Sequence, residues 1–533
     1  MNSEHVKNAA ISTLAAATLV TGVIVLAPGW GEHGPRPAAG AAARAQAAAG
    51  AGAPAALTDL IALIDERERH LAAHPRDEES WAVLGSAYVE RGTRLADWAS
   101  YQKAEHALRR SLEVLPGEQG NVEALLGLAA LANARHDYTW ARTWAERAAK
   151  LRPKRWTAYP VLIDAYTGLG DYKAIGPAMD RMLELHSGAQ ALGRASQVYR
   201  NRGWREDAAA LAHDAVGSAG GPAEKAAALH RLGDLSWERG EPLEAVGHYD
   251  LALKLVPAHH PALASRGRAL AALGRTDEAF RDYVSALEKA PLPEYALEAG
   301  ELSESLGLNG DAAAQYAVLR TSAARAGSHG VNEELVLGLY EADHGDPAAA
   351  VRRLQGEWDH GRRSIQLADA LGWALFRSGR PKDALPYAKR ATEEGLRSAL
   401  FTYHRGEIER SLDLRGPARR HLAEALRINP YFSPVLAPVA AVSLAAVGEP
   451  EEGGPEEGGP KKVTGDAYVP PAPSPSTSTS TSPSPSTSPS TTSGPSPSQT
   501  PAPSATASST PTPSPSAPSP AKTSSVSAEP RRR

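Results

Sequence analysis

Histidines beside carboxylates are the first places to look for chemistry in this chain. Among its 17 histidines, His259 and His260 are adjacent, His344 follows Asp343 and His360 follows Asp359. An imidazole next to a carboxylate can hold a metal or move a proton. None of these has the i, i+4 partner set of a known metal helix, so they read as turn-exposed side chains. Glu333-Glu334 and Glu393-Glu394 are candidate acid/base pairs, but they fall on polar helix faces and read as solvated surface. The sequence has no Walker phosphate loop, no G-x-G-x-x-G after a strand, no G-x-S-x-G elbow and no H-E-x-x-H helix. With Cys at 0, thiolate ligands, Cys nucleophiles and disulfides are excluded. The expectation is a non-catalytic chain without cofactor or metal.

Charge points the same way. Lys+Arg is 57 against Asp+Glu 61, a formal net charge of -4, which gives no support for a nucleic-acid surface. The 533 residues exceed one ordinary domain. Ala and Gly dominate many stretches, a composition suited to close helix packing.

The elements that would position any binding residue lie between two compositional breaks. Residues 9–27 (AAISTLAAATLVTGVIVLA) are apolar and uncharged. As a helix they would span about 28 Å, near the hydrocarbon thickness of a bilayer. The segment 1–27 reads as a single-pass membrane anchor or as a cleaved signal. Pro28 just after Val25-Leu26-Ala27 disfavours cleavage there. Residues 28–56 are rich in Ala, Gly and Pro and read as a linker. From Gly448 the chain turns to PEEGG repeats and then almost only Pro, Ser, Thr and Ala. The segment 448–533 reads as a disordered tail that cannot bury enough apolar surface to fold.

Between them runs a repeat. Leu232-Gly233, Gly240, Ala245, Tyr249, Ala252 and Pro257 recur 34 residues later as Arg266-Gly267, Gly274, Ala279, Tyr283, Ala286 and Pro291. Gly240 can end a first helix in a left-handed turn. Ala245, Tyr249 and Ala252 follow at i, i+4, i+7 on one face of a second helix, and Pro257 stops it. Each unit is therefore predicted to be an antiparallel helical hairpin.

These landmarks resemble the tetratricopeptide repeat (TPR), and Trp81-x2-Leu84-Gly85-x2-Tyr88 matches its opening motif closely. The second half of that unit comes seven residues late, which predicts an insertion within Thr93–Ser100. The resemblance covers about 57–430. It implies an all-α, right-handed superhelical solenoid of about nine to ten TPR hairpins over 57–447, monomeric, with helical caps at each end.

The resemblance also implies a binding groove. First helices of TPR units line the concave face, with positions 2, 5, 9 and 12 inward. That register selects Gln197, Arg200, His230, Asp234, Trp237, Arg268, Trp373 and Phe376 as a peptide-binding set. Arg and Trp are common interface anchors, although each Trp could instead pack between helices and each Arg be merely solvated. The Lys/Asn set by which some TPR domains clamp a partner's C-terminus is missing at Gly193, Gln197, His230, Asp234, Ala264 and Arg268. The expected function is a scaffold for protein or peptide partners, tethered to a membrane through residues 9–27. Repeats and tail are expected outside the cytoplasm, or secreted if the segment is cleaved. The Ala/Arg/Gly-rich usage resembles actinobacterial proteins. A cell-envelope or secretion subunit that binds lipid or polymer, or a non-catalytic subunit of an enzyme complex, is the alternative.

Overall fold

The computed structural model describes residues 40–448. The expected anchor, most of the expected tail and the first part of the linker lie outside the described residues. Two helices, α1 (Ala41–Gly50) and α2 (Leu57–Ala73), come first. Ten hairpins follow. They are α3 (Glu78–Leu95) with α4 (Ala99–Val114), α5 (Val122–Ala134) with α6 (Tyr138–Leu151), α7 (Ala158–Leu169) with α8 (Tyr172–Leu185), α9 (Ala189–Asn201) with α10 (Arg205–Ser218) and α11 (Pro222–Glu238) with α12 (Pro242–Leu255). Then come α13 (His260–Ala272) with α14 (Thr276–Lys289), α15 (Pro293–Ser305) with α16 (Asn309–Ser328), α17 (Glu334–His344) with α18 (Pro347–Asp359), α19 (Ile365–Arg377) with α20 (Pro381–Glu393) and α21 (Ala399–Ser411) with α22 (Arg415–Ile428). A final helix, α23 (Leu436–Val447), covers the last pair. The architecture is the expected TPR-type solenoid, with no strand among the described residues.

Five of the hairpins share one close approach between their helices. Gly233 on α11 faces the ring of Tyr249 on α12, and a Cβ at Gly233 would run into that ring. Tyr249 is fully buried as a result. The same spacing of 16 pairs Gly267 with Tyr283, Gly300 with Tyr316, Gly338 with Leu354 and Gly406 with Leu422. A bare backbone on the first helix thus makes room for one large side chain from the second, so the pair packs without a void. Pro242, Pro347 and Pro381 each sit in the first turn of a second helix, where a missing N–H is harmless.

Successive turns of the superhelix touch. Asn332 N–H donates to the carbonyl of Arg135 at 3.0 Å, and its own carbonyl meets His136 Nδ1 at 2.8 Å. Arg363 N–H donates to the carbonyl of Leu169 at 3.0 Å, and Ile365 N–H to the hydroxyl of Tyr172 at 2.8 Å. Arg205 reaches the carbonyl of Arg397 at 2.9 Å. Partners are 196, 193 and 192 residues apart, so one superhelical turn takes just under six 34-residue hairpins. Gly203 (φ +78°) and Gly240 (φ +77°) serve twice here, turning the chain between helices and admitting Gly395 and Pro430 of the next turn.

One expectation about the fold needs correction. The linker reading of 28–56 fails over Ala41–Gly50, which is helical. Ala has the highest helix propensity, and α1 gains partners on α2. Ala45 is 1% exposed, Arg44 pairs with Asp59 at 2.6 Å and Arg67 donates to Gln46 at 2.6 Å. In the hairpin of α15 and α16 the helix contact is at Gly300 and Tyr316, and α16 is lengthened to 20 residues. The insertion expected within Thr93–Ser100 lengthens α3 to 18 residues, and Trp98 just beyond it joins Ala290, Ala326 and Val331 in one apolar cluster. Among the described residues no helix is long and apolar enough to cross a membrane.

Candidate functional site

The first helices face the interior, and the second turn walls off the interior of the first. A cavity of about 690 Å³ results, lined on one side by α9, α11 and α13 and on the other by the 396–401 segment, Gln366, Asn429 and Phe432. Six of the sequence-derived residues meet there: Gln197, Arg200, His230, Asp234, Trp237 and Arg268. Trp373 and Phe376 do not line it. Trp373 is 2% exposed, donates from its indole to Asp343 at 2.9 Å and stacks on His404 at 4.0 Å. Phe376 lies 5.0 Å from the Trp373 ring, half-buried in the same apolar cluster. Both are packing residues.

Most charges in the cavity are spoken for. Arg200 donates to both oxygens of Glu238, with its Nε at 2.7 and 2.9 Å. Arg194 donates to Gln197 at 3.0 Å and also pairs with Asp164. Asp234 accepts from the Tyr249 hydroxyl at 2.9 Å, while Arg268 approaches it to 3.9 Å. Arg268 also lies 3.4 Å from Glu298 and 5.2 Å over the Trp237 ring. Burial opposes the Arg268 charge, but Glu298, Tyr249 and Asp234 outweigh it and raise its pKa. Trp237 is 7% exposed, so only part of its ring can meet an occupant.

Burial disfavours the charged form of the histidines at the cavity. Burial lowers the pKa of His230, whose Nε2 lies 3.1 Å from the Ser265 hydroxyl. Burial and the neighbouring His230 take His259 down to about 3, and burial takes His260 down to about 4. Neither His260 nor His344 is turn-exposed as expected. His260 meets the Tyr295 hydroxyl at 2.8 Å, and His344 is held by Glu304 at 2.9 Å under Tyr316. His360 is exposed. Among the described residues no group of three or more His, Asp or Glu is arranged to hold a metal. Glu333 also departs from its expected solvated face. It is 7% exposed, and burial with help from Glu294 pushes its pKa up to about 8.

Two kinds of lining residue escaped the sequence reading. Arg231 sits one position from His230 and enters the same cavity. Gln366, Arg397 and Phe432 come from the next superhelical turn, and no local spacing could announce them.

No family model matches the chain, and no curated protein is similar to it. Solved structures similar to it include a human IFIT1 dimer with PPP-AAAA, 15% identical over 66% of this chain and 81% of that one, TM-score 0.40. Others are PilF of Pseudomonas aeruginosa (18% identical, 38% and 90% covered, TM-score 0.31) and the MamA protein (20%, 32% and 91%, TM-score 0.25). Likeness at this level is no evidence for any ligand of this chain.

Proposed function

We propose that the chain is a non-catalytic scaffold that holds a protein or peptide segment in the cavity between its superhelical turns. The observation that carries this is the convergence of Gln197, Arg200, His230, Asp234 and Arg268 on one hollow of about 690 Å³. That is the size range of specific small-ligand and side-chain pockets. Its polar groups are largely paired, which suits fixed recognition rather than proton transfer. The apolar run at 9–27 supports a tether that presents the repeats at a membrane, outside the cytoplasm.

The test is partner capture with the full chain from solubilised membranes, followed by affinity measurement on variants. Gln197→Ala should weaken the captured partner by about fivefold or more, about 1 kcal/mol, with the melting temperature unchanged. Lys254→Ala, on α12 at the outer surface, should change neither. Equal affinity for both variants would refute the cavity as the binding site.

A further inference from the structure

One guanidinium in the cavity has no counter-ion. Four arginines (Arg200, Arg231, Arg268 and Arg397) line the hollow against two carboxylates, Asp234 and Glu238. Arg200 is paired with Glu238, Arg268 with Glu298, and Arg397 comes within 3.9 Å of Glu424. Arg231 has no ion pair and no hydrogen bond among the described residues. Its Nη1 lies over Gly193, where a Cβ would come within 2.7 Å. The nearby acids are committed elsewhere, Asp164 to Arg194 and Asp234 to Tyr249. Burial and the adjacent Arg194 depress the Arg231 pKa to about 10. Arg231 is only partly buried, so in the hollow its fork is left to solvent, the position in which an incoming carboxylate gains a charge-assisted, two-pronged partner.

The opposite wall is receptive to an anion as well. Ala399 and Leu400, in the first turn of α21, line the same hollow. Ser398 caps that helix by accepting from Phe401 N–H at 3.3 Å. The Ala399 and Leu400 amides precede the helix's own hydrogen-bond ladder, and the helix dipole adds partial positive charge there.

We infer that the cavity holds a carboxylate, with Arg231 as its counter-ion and the first turn of α21 facing it from the next superhelical turn. This rests on the peptide-binding reading above and names the chemistry of the occupant. A carboxylate side chain can come from an acidic partner segment. It can also come from this chain, whose Glu451, Glu452, Glu456 and Glu457 follow closely on α23.

The experiment uses two fluorescent, C-terminally amidated peptides, GEEGGEEG and its counterpart GQQGGQQG. Binding to each is read by anisotropy with the full chain, with Arg231→Gln, and with a chain carrying Gln at the four tail glutamates. The Glu peptide should bind about tenfold or more tighter than the Gln peptide, and Arg231→Gln should erase the difference. A preference already present in the unmodified chain assigns the carboxylate to a partner. A preference that emerges only with the four tail glutamates replaced assigns it to the chain's own segment. Equal binding of the two peptides to all three chains, or a preference that survives Arg231→Gln, overturns the inference while leaving peptide binding intact. Failure of both peptides to bind any chain overturns it too, and partner capture then decides the broader reading alone. Arg231→Lys keeps the charge without the fork, so it should retain a weaker preference, and it serves if the Gln variant does not fold.

Discussion

The side-chain amide of Asn429 donates to the backbone carbonyl of Trp237 at 2.8 Å, across 192 residues of sequence. Asn429 is 3% exposed, and its own carbonyl accepts from Tyr431 N–H at 2.8 Å. One side chain therefore ties the end of the second superhelical turn to the helix that carries most of the cavity. Asn429→Ala should destabilise the fold by about 0.5–1.5 kcal/mol, the net worth of one hydrogen bond, since the Trp237 carbonyl still accepts from Gly240 N–H at 2.9 Å. Amide hydrogen exchange should quicken at seam positions such as Arg363 and Ile365 before it does inside hairpins. Equal protection in Asn429→Ala and the unmodified chain would mean that the turns do not depend on this bond.

Corner glycines divide into two groups. Gly170, Gly203 and Gly240 have φ of +75°, +78° and +77° and lie against the next turn, whereas Gly274 and Gly307 have φ of +74° and +73° with nothing near a Cβ. Alanine at Gly274 should cost about 1–2 kcal/mol for the left-handed backbone alone. Alanine at Gly203 should cost more, because its Cβ meets the Gly395 carbonyl. Chemical denaturation of the two variants compares them directly, and equal losses would contradict contact between the turns.

Within a hairpin the contrast is between Gly233 and Gly247. Gly233→Ala drives a methyl into the Tyr249 ring and should destabilise by about 1–3 kcal/mol. Gly247 is exposed on α12 with open space around it, so Gly247→Ala should stabilise by up to about 1 kcal/mol. Thermal melts of the pair should move in opposite directions.

These contrasts mark what could be read from residue order. The 34-residue register and the proline stops follow from local spacing, which each hairpin obeys on its own, and the inward positions 197, 200, 230, 234 and 268 follow from that register only through the TPR resemblance. Trp237 and Trp373 show the limit. Their position on the first helix was legible, but whether the indole meets solvent or a neighbour depends on packing, and Trp373 is sealed by Asp343 and His404. The seam was not legible at all. It depends on the small rotation accumulated over nearly six hairpins, so nothing near Asn429 announces Trp237. The burial of Glu333 has the same origin, since it lies beside Asn332 at that seam.

Glu333 supplies the pH test. Its pKa in the folded chain, about 8, lies above the ordinary carboxylate value of 4.5 because of burial and Glu294, with Arg362 opposing. The folded state therefore binds more protons than the unfolded state between those values, and stability falls as pH rises from about 4.5 to about 8. Glu333→Gln should leave the melting temperature near wild type at pH 5 and raise it by several degrees at pH 8.5. Parallel melting curves for the two proteins across that range would show that Glu333 ionises freely.

The most direct test of the central claim uses the absence of cysteine. A single Cys at Gln197, inside the cavity, or at Lys254, on the outer surface, can carry a benzophenone photocrosslinker in the full chain. Irradiation in membranes from the source cell is predicted to attach a partner polypeptide from position 197 and not from 254, with attachment reduced by Arg231→Gln. Attachment from 254 alone, or equal attachment from both positions, would contradict a binding site between the superhelical turns.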